Sequence, residues 1–557
     1  MSDLSKVEVI KAQSRGLRGN IRQELAEDTP TFTKETAQLL KFHGVYQQED
    51  RDQRKARRET GGDKAWQFMV RIKNPGGGRL SPHQWQVLDE IADRFGNGTL
   101  RITTRQGIQF HGVVKPRLKP AIQELNSILI HTFGACGDGV RNTIACPVSE
   151  LRHGSTCQGQ TWAARIARRM SFRTTAYHEI WLNGERIDGE SVEDEPVYGS
   201  TYLPRKFKIA VADPHDNCVD LLTNDIGILP ELNGDGPIGF HVLVGGGLGS
   251  THGKEETFPR LADPLAFVAP DELEDVVEAI VITQRDLGNR ADRRQARLKY
   301  VVERLGTEGF RREVEQRYGR QLQPSNPPAI HPYDFHFGWH RQRTPGLLYL
   351  GLFIENGRVE DRPGFPLRST LRRVIREFQP AIFLTPNQDL ILADLPERVV
   401  PLVDDVLARA GIRPAGSSPL RSASMACPAL PTCGLAITEA ERRLPGLIDQ
   451  LEAMGFGKEA VVIRMSGCPN SCSRPPVAEV GLVGKSVDGY SIYLGGAANG
   501  TRLARLYLES VSSGELAGRL KVLFEHYRRH RLPDERFGDF CHRIGVDELR
   551  RTLVQGE

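Results

Sequence analysis

The sequence predicts an α+β fold in which a duplicated unit forms a pseudo-symmetric domain carrying two further α/β domains. Three observations carry this. Residues 68–113 and 349–395 repeat one pattern, each reading strand, helix, strand. Two stretches rich in Pro, QPSNPPAIHP (323–332) and RPAGSSP (413–419), mark linkers. A chain of 557 residues divides into three or four domains of ordinary size.

In chain order, residues 1–65 are polar and read as an N-terminal extended arm, with EDRDQRKARRE (49–59) a solvated charge run. The first repeat, 66–133, begins FMVRIKNPGGGRL, continues as the amphipathic HQWQVLDEIADRF and ends TLRITTRQGIQFHGV. The second repeat, 336–412, runs YLGLFIENGRV, LRSTLRRVIREF, AIFLTPNQDLILADL. Ile102, Ile108 and Phe110 correspond to Leu384, Leu390 and Leu392 at one constant offset, as do Thr103 to Thr385 and Gln106 to Gln388. The segment between, 134–335, is then an inserted α/β domain. In the C-terminal domain, 413–557, ITEAERRLPGLIDQLEAMG reads as a helix with Thr438 as N-cap and a break at Pro445. EAVVIRM follows as a short buried strand.

Composition narrows the function. Apolar content is 39% and charged content 26%, an ordinary globular balance. A net charge of +4 gives no case for nucleic acid. No run reaches the roughly 18 apolar residues of a membrane helix, and the N-terminus lacks an apolar signal core, so a cytoplasmic protein is expected. Nine cysteines are too sparse for a disulfide scaffold, and in a reducing compartment clustered thiols point to metal or redox chemistry.

The two repeats differ in charge. The first carries Arg71, Arg101 and Arg105; the second has Phe383 opposite Arg101 and Asn387 opposite Arg105. Surface arginines are the plain reading, but an anion bound on one side explains the asymmetry. Four cysteines form two pairs: Cys427 and Cys433 with five residues between them, Cys468 and Cys472 with three, and 34 residues between the pairs. Four thiolates suit a tetrahedral zinc or an iron–sulfur cluster, and the five-residue spacer fits zinc poorly. Cys136, Cys146, Cys157, Cys218 and Cys541 are scattered and read as small buried side chains; of these, Cys146 closely follows Arg141. His43 and His111 read as structural. LVGGGLG (243–249) lacks the full dinucleotide-binding pattern and reads as close backbone packing.

ACPALPTCGLAITEAERRLP followed by RMSGCPNSCSRPPVAEVGLVG closely resembles the sirohaem- and cluster-containing sulfite and nitrite reductases. KFHGVYQQEDRD, LRITTRQGIQFHG, TYLPRKFK and LVGGGLG extend the likeness over nearly the whole chain, nearest to assimilatory sulfite reductase haemoproteins. The resemblance implies ferredoxin-like repeats around a central cofactor and a 4Fe–4S cluster on Cys427, Cys433, Cys468 and Cys472. It implies that Cys472 is shared with sirohaem iron, which excludes redox-inert zinc. Sirohaem is rimmed with carboxylates and its substrate is an anion, so cations serve both. Arg71, Arg141, Lys206 and Lys208 correspond to residues that bind sulfite, the lysines relaying protons. Arg101, Arg105, Gln109, His111 and Asn470 correspond to cofactor contacts. The implied reaction is six-electron reduction of sulfite to sulfide, with electrons from a partner, an NADPH-linked flavoprotein subunit or ferredoxin. Nitrite reduction to ammonia is the alternative, and a noncatalytic zinc module held by four cysteines the remote one.

Overall fold

Each repeat owes its shape to an amphipathic helix laid on alternating strands. The computed structural model describes residues 4–177, 181–182, 185–186 and 195–554. In the first repeat a capping box between Ser81 and Gln84 opens the helix Pro82–Phe95, which turns Trp85, Leu88, Ile91, Ala92 and Phe95 inward. In the second, the helix Leu367–Phe378 buries Leu367, Leu371, Val374 and Ile375. Both stripes enter one shared core. The helices also clasp through charge: Arg368 Nε meets Asp89 Oδ1 at 2.5 Å and its Nη1 meets Asp93 Oδ1 at 2.6 Å.

The repeat ends in a hairpin rather than a single strand. Leu100–Ile102 pairs with Ile108–Val113, and Ala381–Leu384 with Leu390–Pro396. The turns match atom for atom. Thr103 Oγ1 accepts from the backbone N–H of Arg105 and Gly107, and Thr385 Oγ1 from Asn387 and Asp389. Gln106 and Gln388 both hold positive φ, 52° and 74°. The repeats interlock reciprocally. Leu80 of the first exchanges backbone hydrogen bonds with Ile382 of the second, and Arg358–Val359 of the second pairs with Leu100 and Arg101 of the first.

The first sheet runs in the order Val45–Glu49, Trp66–Arg71, Ile108–Val113, Leu100–Ile102, Arg358–Val359. Its edge strand lies within the segment expected to be an extended arm. That arm instead forms helices Lys6–Ala12, Ile21–Ala26 and Lys34–Leu40 and packs against the body. Leu17, Phe32, Leu39, Leu40 and Phe42 are buried there, an apolar set too widely spaced among charges to stand out in the sequence.

The inserted segment builds a mixed sheet, Asp263–Val268, Pro237–Val244, Ile226–Leu232, Ile209–Val211, Ile144–Ala145, covered by helices Gly159–Arg169, Leu273–Leu287 and Leu298–Tyr318. The C-terminal segment builds another, Met425–Ala426, Ile463–Ser466, Val480–Ser486, Gly489–Leu494, Arg505–Ser512. Both Pro-rich stretches run as connections without long elements. The helix expected from Thr438 begins at Leu444 instead, with Pro445 in its first turn, where a missing N–H costs nothing. Thr438 Oγ1 donates to the Val487 carbonyl and caps no helix.

Candidate active site

Parallel pairing places the four thiols. Met425–Ala426 runs parallel to Ile463–Ser466, with Ala426 opposite Met465, so both strands release their loops at the same end of the sheet. Cys427 leaves the first strand and Cys468 the second, and the Cys427 N–H donates to the Met465 carbonyl at 3.1 Å. Gly467 sits between them. A Cβ there would collide with Ala429 and approach the Thr438 carbonyl, so only glycine lets the loops close. Its N–H points at Cys427 Sγ at 3.4 Å, and Asn470 Nδ2 at Cys468 Sγ at 3.6 Å, as suits sulfurs carrying negative charge. Cys427 and Cys468 are buried, Cys433 is half-buried and Cys472 is exposed.

The thiols feel one another. Burial, and then the neighbouring Cys472, push the Cys427 thiol far up and that of Cys468 to about 11. Left alone these groups keep their protons; a bound metal must draw out the thiolates. Among the described residues, the compact group of metal-ligating side chains, Cys146, Asp216, Cys218 and His336 within 4.8 Å of one another, lies outside these loops.

The charge run at 49–59 is not wholly solvated. Arg51 Nη1 reaches the carbonyls of Cys433, 3.3 Å, and Ala436, 2.8 Å, and Asp52 pairs with Arg442 at 2.6 Å. The run therefore pins the first thiol loop, while its helix Arg54–Glu59 stays exposed. A charged loop with no periodicity gave no sequence sign of this.

Arg101 is buried and committed to protein. Its Nε meets Glu441 Oε2 at 2.9 Å and its Nη2 donates to the Ala426 carbonyl at 3.0 Å, next to Cys427. Arg358 meets the other oxygen of Glu441 at 2.7 Å. Burial alone would raise the Glu441 carboxyl; Arg358 and Arg101 outweigh it and bring it down to about 2. Glu441 therefore stabilises the fold above its ordinary value of 4.5, and that stability is lost as pH falls through about 2. Glu441→Gln leaves two guanidinium groups short of a counter-charge and is expected to cost about 3–5 kcal/mol in denaturant unfolding at neutral pH. The same variant should lack this part of the wild-type acid limb.

The other cations converge from three segments. Arg71 ends its strand opposite Gln109, whose amide oxygen, turned toward it, accepts from Arg71 Nε at 3.1 Å; Arg71 Nη1 lies 3.2 Å from Cys136 Sγ. Arg141 Nε donates to the Gly137 carbonyl at 2.9 Å, and Tyr46 and Cys136 hold its guanidinium above the usual range despite burial. In RKFK, Phe207 is fully buried and bridges Val140, so Lys206 and Lys208 turn to the opposite, half-buried side, as alternation predicts. Burial and Arg205 bring Lys206 down to about 7, with Cys472 opposing them. Burial, Lys206, Arg297 and Arg105 take Lys208 well below its ordinary value.

Arg105 spends most of its donors on protein: Nη1 on Asn224 Oδ1 at 2.7 Å, and Nη2 on the carbonyls of Asn142 and Ile209 at 2.6 and 2.7 Å. Its Nε is buried without a hydrogen-bond partner, as are both ring nitrogens of His111. Burial, then Arg358, keep His111 neutral. His43 is structural as expected, its Nε2 on the Leu17 carbonyl at 3.1 Å. LVGGGLG lies against the second thiol loop: Ser250 N–H donates to the Pro469 carbonyl at 2.9 Å, and a Cβ on Gly249 would stand 3.2 Å from the Asn470 carbonyl oxygen, a tight approach.

The described residues thus fit both groups that the sequence implied. Four mutually interacting thiols with N–H donors suit an iron–sulfur cluster. Crowded cations, three of them depressed by burial and then by neighbouring cations, together with orphaned donors on Arg105 and His111, suit a polyanionic macrocycle and an anionic substrate. Such a combination defines a redox enzyme that handles an anion beside a metal centre.

Comparison with known proteins narrows that class. The family model "Nitrite and sulphite reductase 4Fe-4S domain" matches residues 136–322 and 461–556, and "Nitrite/Sulfite reductase ferredoxin-like half domain" matches 61–128 and 340–410. The chain is 44% identical over 554 residues to a "Sulfite reductase [NADPH] hemoprotein beta-component" of Chromohalobacter salexigens, covering 98% of this chain and 96% of that one. It is 42% identical over 571 residues to a "Sulfite reductase [ferredoxin]" of Synechococcus elongatus, covering 98% and 90%. The solved structure of the Mycobacterium tuberculosis NirA protein shares the fold, with a TM-score of 0.78 at 24% identity over 97% of this chain and 95% of that one. The chain belongs to the nitrite and sulphite reductase family.

Proposed function

We propose that this chain is the haemoprotein of an assimilatory sulfite reductase, with Cys427, Cys433, Cys468 and Cys472 holding a 4Fe–4S cluster and Cys472 shared with sirohaem. The observation that carries it is geometric: adjacent parallel strands release both thiol loops at one end of the sheet, the Gly467 N–H points at Cys427 Sγ, and the inserted domain closes on the second loop through the Ser250 N–H to the Pro469 carbonyl. The coupled metal groups, when bound, would relay to the anion the six electrons that a separate donor provides. The protein supplies position, charge and protons. Arg71 and Arg141 hold the oxyanion. Lys206, poised near neutrality, gives up a proton and regains it more readily than an ordinary lysine. Gln109 orients Arg71, and His111, Asn470 and the free Nε of Arg105 meet the macrocycle. The remaining donors of Arg105, and those of Arg101, fasten the surrounding domains.

Electrons come from a separate donor. An NADPH-linked flavoprotein and ferredoxin both fit, and relatives carry both names. Among the described residues no helix is long and apolar enough to cross a membrane, and nine free cysteines suit the reducing cytoplasm. The test is turnover of cofactor-loaded protein with reduced viologen and either anion. Sulfide from sulfite, at a kcat/KM above that for nitrite, is expected. Ammonia from nitrite without sulfide from sulfite would assign the chain to the other branch of the family.

A further inference from the structure

Four further side chains of metal-ligating type, none of them among Cys427, Cys433, Cys468 and Cys472, come together in the fold. Cys146 follows the strand Ile144–Ala145, Asp216 and Cys218 sit on the turn after Ile209–Val211, and His336 precedes the strand Gly338–Arg341. All four are buried, with 1% exposure or less. Cys146 Sγ lies 3.2 Å from Asp216 Oδ2 and 3.9 Å from His336 Nε2, and His336 Nε2 lies 3.2 Å from Asp216 Oδ2. Each of the four ligand atoms, Cys218 Sγ included, is within 4.8 Å of the others. Ligands bonded tetrahedrally to zinc at 2.0–2.3 Å stand about 3.3–3.8 Å apart. The separations among Cys146, Asp216 and His336, 3.2, 3.9 and 3.2 Å, each lie about 0.1 Å outside that range, and Cys218 Sγ stands within 4.8 Å of all three.

The surroundings orient the ligands. Asp216 Oδ1 accepts the N–H groups of Cys218 and Asp334, both at 2.9 Å, which leaves Oδ2 for the centre. His336 turns Nε2 inward, while its Nδ1 lies 3.3 Å from Asp334 Oδ2, close enough for charge pairing though without hydrogen-bond geometry. Its backbone holds a φ of 60°, a conformation that persists in a non-glycine residue only where its surroundings enforce it. Arg152, paired with Asp213 at 2.8 Å, borders the group and offsets its negative charge.

We propose that Cys146, Asp216, Cys218 and His336 bind one structural Zn²⁺. Four protein ligands close the coordination, so the ion holds structure and activates no water. It staples two loops of the inserted domain to the linker that enters the second repeat. It also steadies the turn bearing Asp220, whose Oδ2 meets Arg464 at 2.7 Å and Arg474 at 2.8 Å, on either side of Cys468 and Cys472. Burial implies loading during folding.

The test uses the cofactor-loaded holoprotein, because its native metal groups contain iron and leave the zinc edge clear. Elemental analysis should find one zinc per chain beside the iron. X-ray absorption at the zinc edge should show two sulfur scatterers near ~2.3 Å and two nitrogen or oxygen scatterers near ~2.0 Å. Cys146→Ser/Cys218→Ala should lose the zinc equivalent. His336→Gln should weaken zinc binding by at least tenfold, with iron and acid-labile sulfide retained. Wild-type protein below about a tenth of an equivalent of zinc, even after zinc is supplied during expression, would overturn the proposal, leaving a buried His–Asp ion pair beside two thiols. So would zinc whose spectrum shows no sulfur. The wild-type spectrum decides the matter even if the variants do not fold.

Discussion

Lys206→Met lowers kcat/KM for sulfite by roughly 30- to 1,000-fold, while iron and acid-labile sulfide stay at wild-type levels. The lysine stands beside Arg205, with Lys208, Arg141 and Arg297 near enough to feel its charge. Burying these lysines, and then crowding them with other cations, is unfavourable, and their depressed values report both. An anion arriving there relieves the repulsion, and developing negative charge relieves it further. Removing one preorganised donor at such a point costs about 2–4 kcal/mol, which is the fold-change above. Methionine keeps the length and apolar body of the side chain, so the loss reads charge rather than packing. The sign with pH follows. The protonated lysine is the active form, so wild-type kcat/KM falls as pH rises through the lysine's pKa, and Lys206→Met should lack that alkaline limb. A loss under threefold at full cofactor content would remove Lys206 from the site.

The duplication was legible because a repeat writes one hydrogen-bond pattern twice. Thr103 with Thr385 and Gln106 with Gln388 correspond because each pair builds the same turn. The arginine asymmetry was visible too, and the structure gives these arginines protein partners that the sequence did not show. Arg105 fastens the inserted domain through Asn142, Ile209 and Asn224. Opposite it, Asn387 accepts from Arg474 of the C-terminal domain at 2.9 Å. The two copies thus face different neighbours, and position in one chain does not reveal which. For the same reason Glu441 could not be assigned to Arg101 and Arg358 from the sequence: 340 residues separate Glu441 from Arg101.

The two sets of thiols differ in how the sequence displays them. Both cluster pairs lie on short loops at the ends of adjacent parallel strands, so close spacing along the chain survives as closeness in space. Cys146 and Cys218 follow different strands of the inserted domain, and His336 stands just before the first strand of the second repeat. Only Asp216 and Cys218 are near in sequence, and DNC alone is no signature. Reading Cys146 and Cys218 as buried side chains was right about burial and silent about their company.

Cys472→Ser should abolish sulfite turnover, by at least roughly a thousandfold, and lower both iron and acid-labile sulfide, whereas Cys541→Ala should leave all three within about twofold. Serine is nearly isosteric with cysteine, and Cys472 is exposed, so packing loss cannot account for a large effect at that position. What serine lacks is a thiolate: its hydroxyl holds its proton at neutral pH and is a harder, poorer partner for iron than sulfur. Cys541 is the contrasting case. It lies fully buried in the apolar core of the C-terminal domain, and burial pushes its thiol well above the ordinary range. Its removal leaves a small void worth about 1–2 kcal/mol of stability, visible in denaturant unfolding and not in cofactor content. If Cys472→Ser retained full iron, sulfide and turnover, the shared thiolate would be wrong and the exposed position of Cys472 beside the lysines would need another explanation. If Cys541→Ala lost them, buried thiols in general would be supporting the cluster, and four ligands would no longer suffice to describe it.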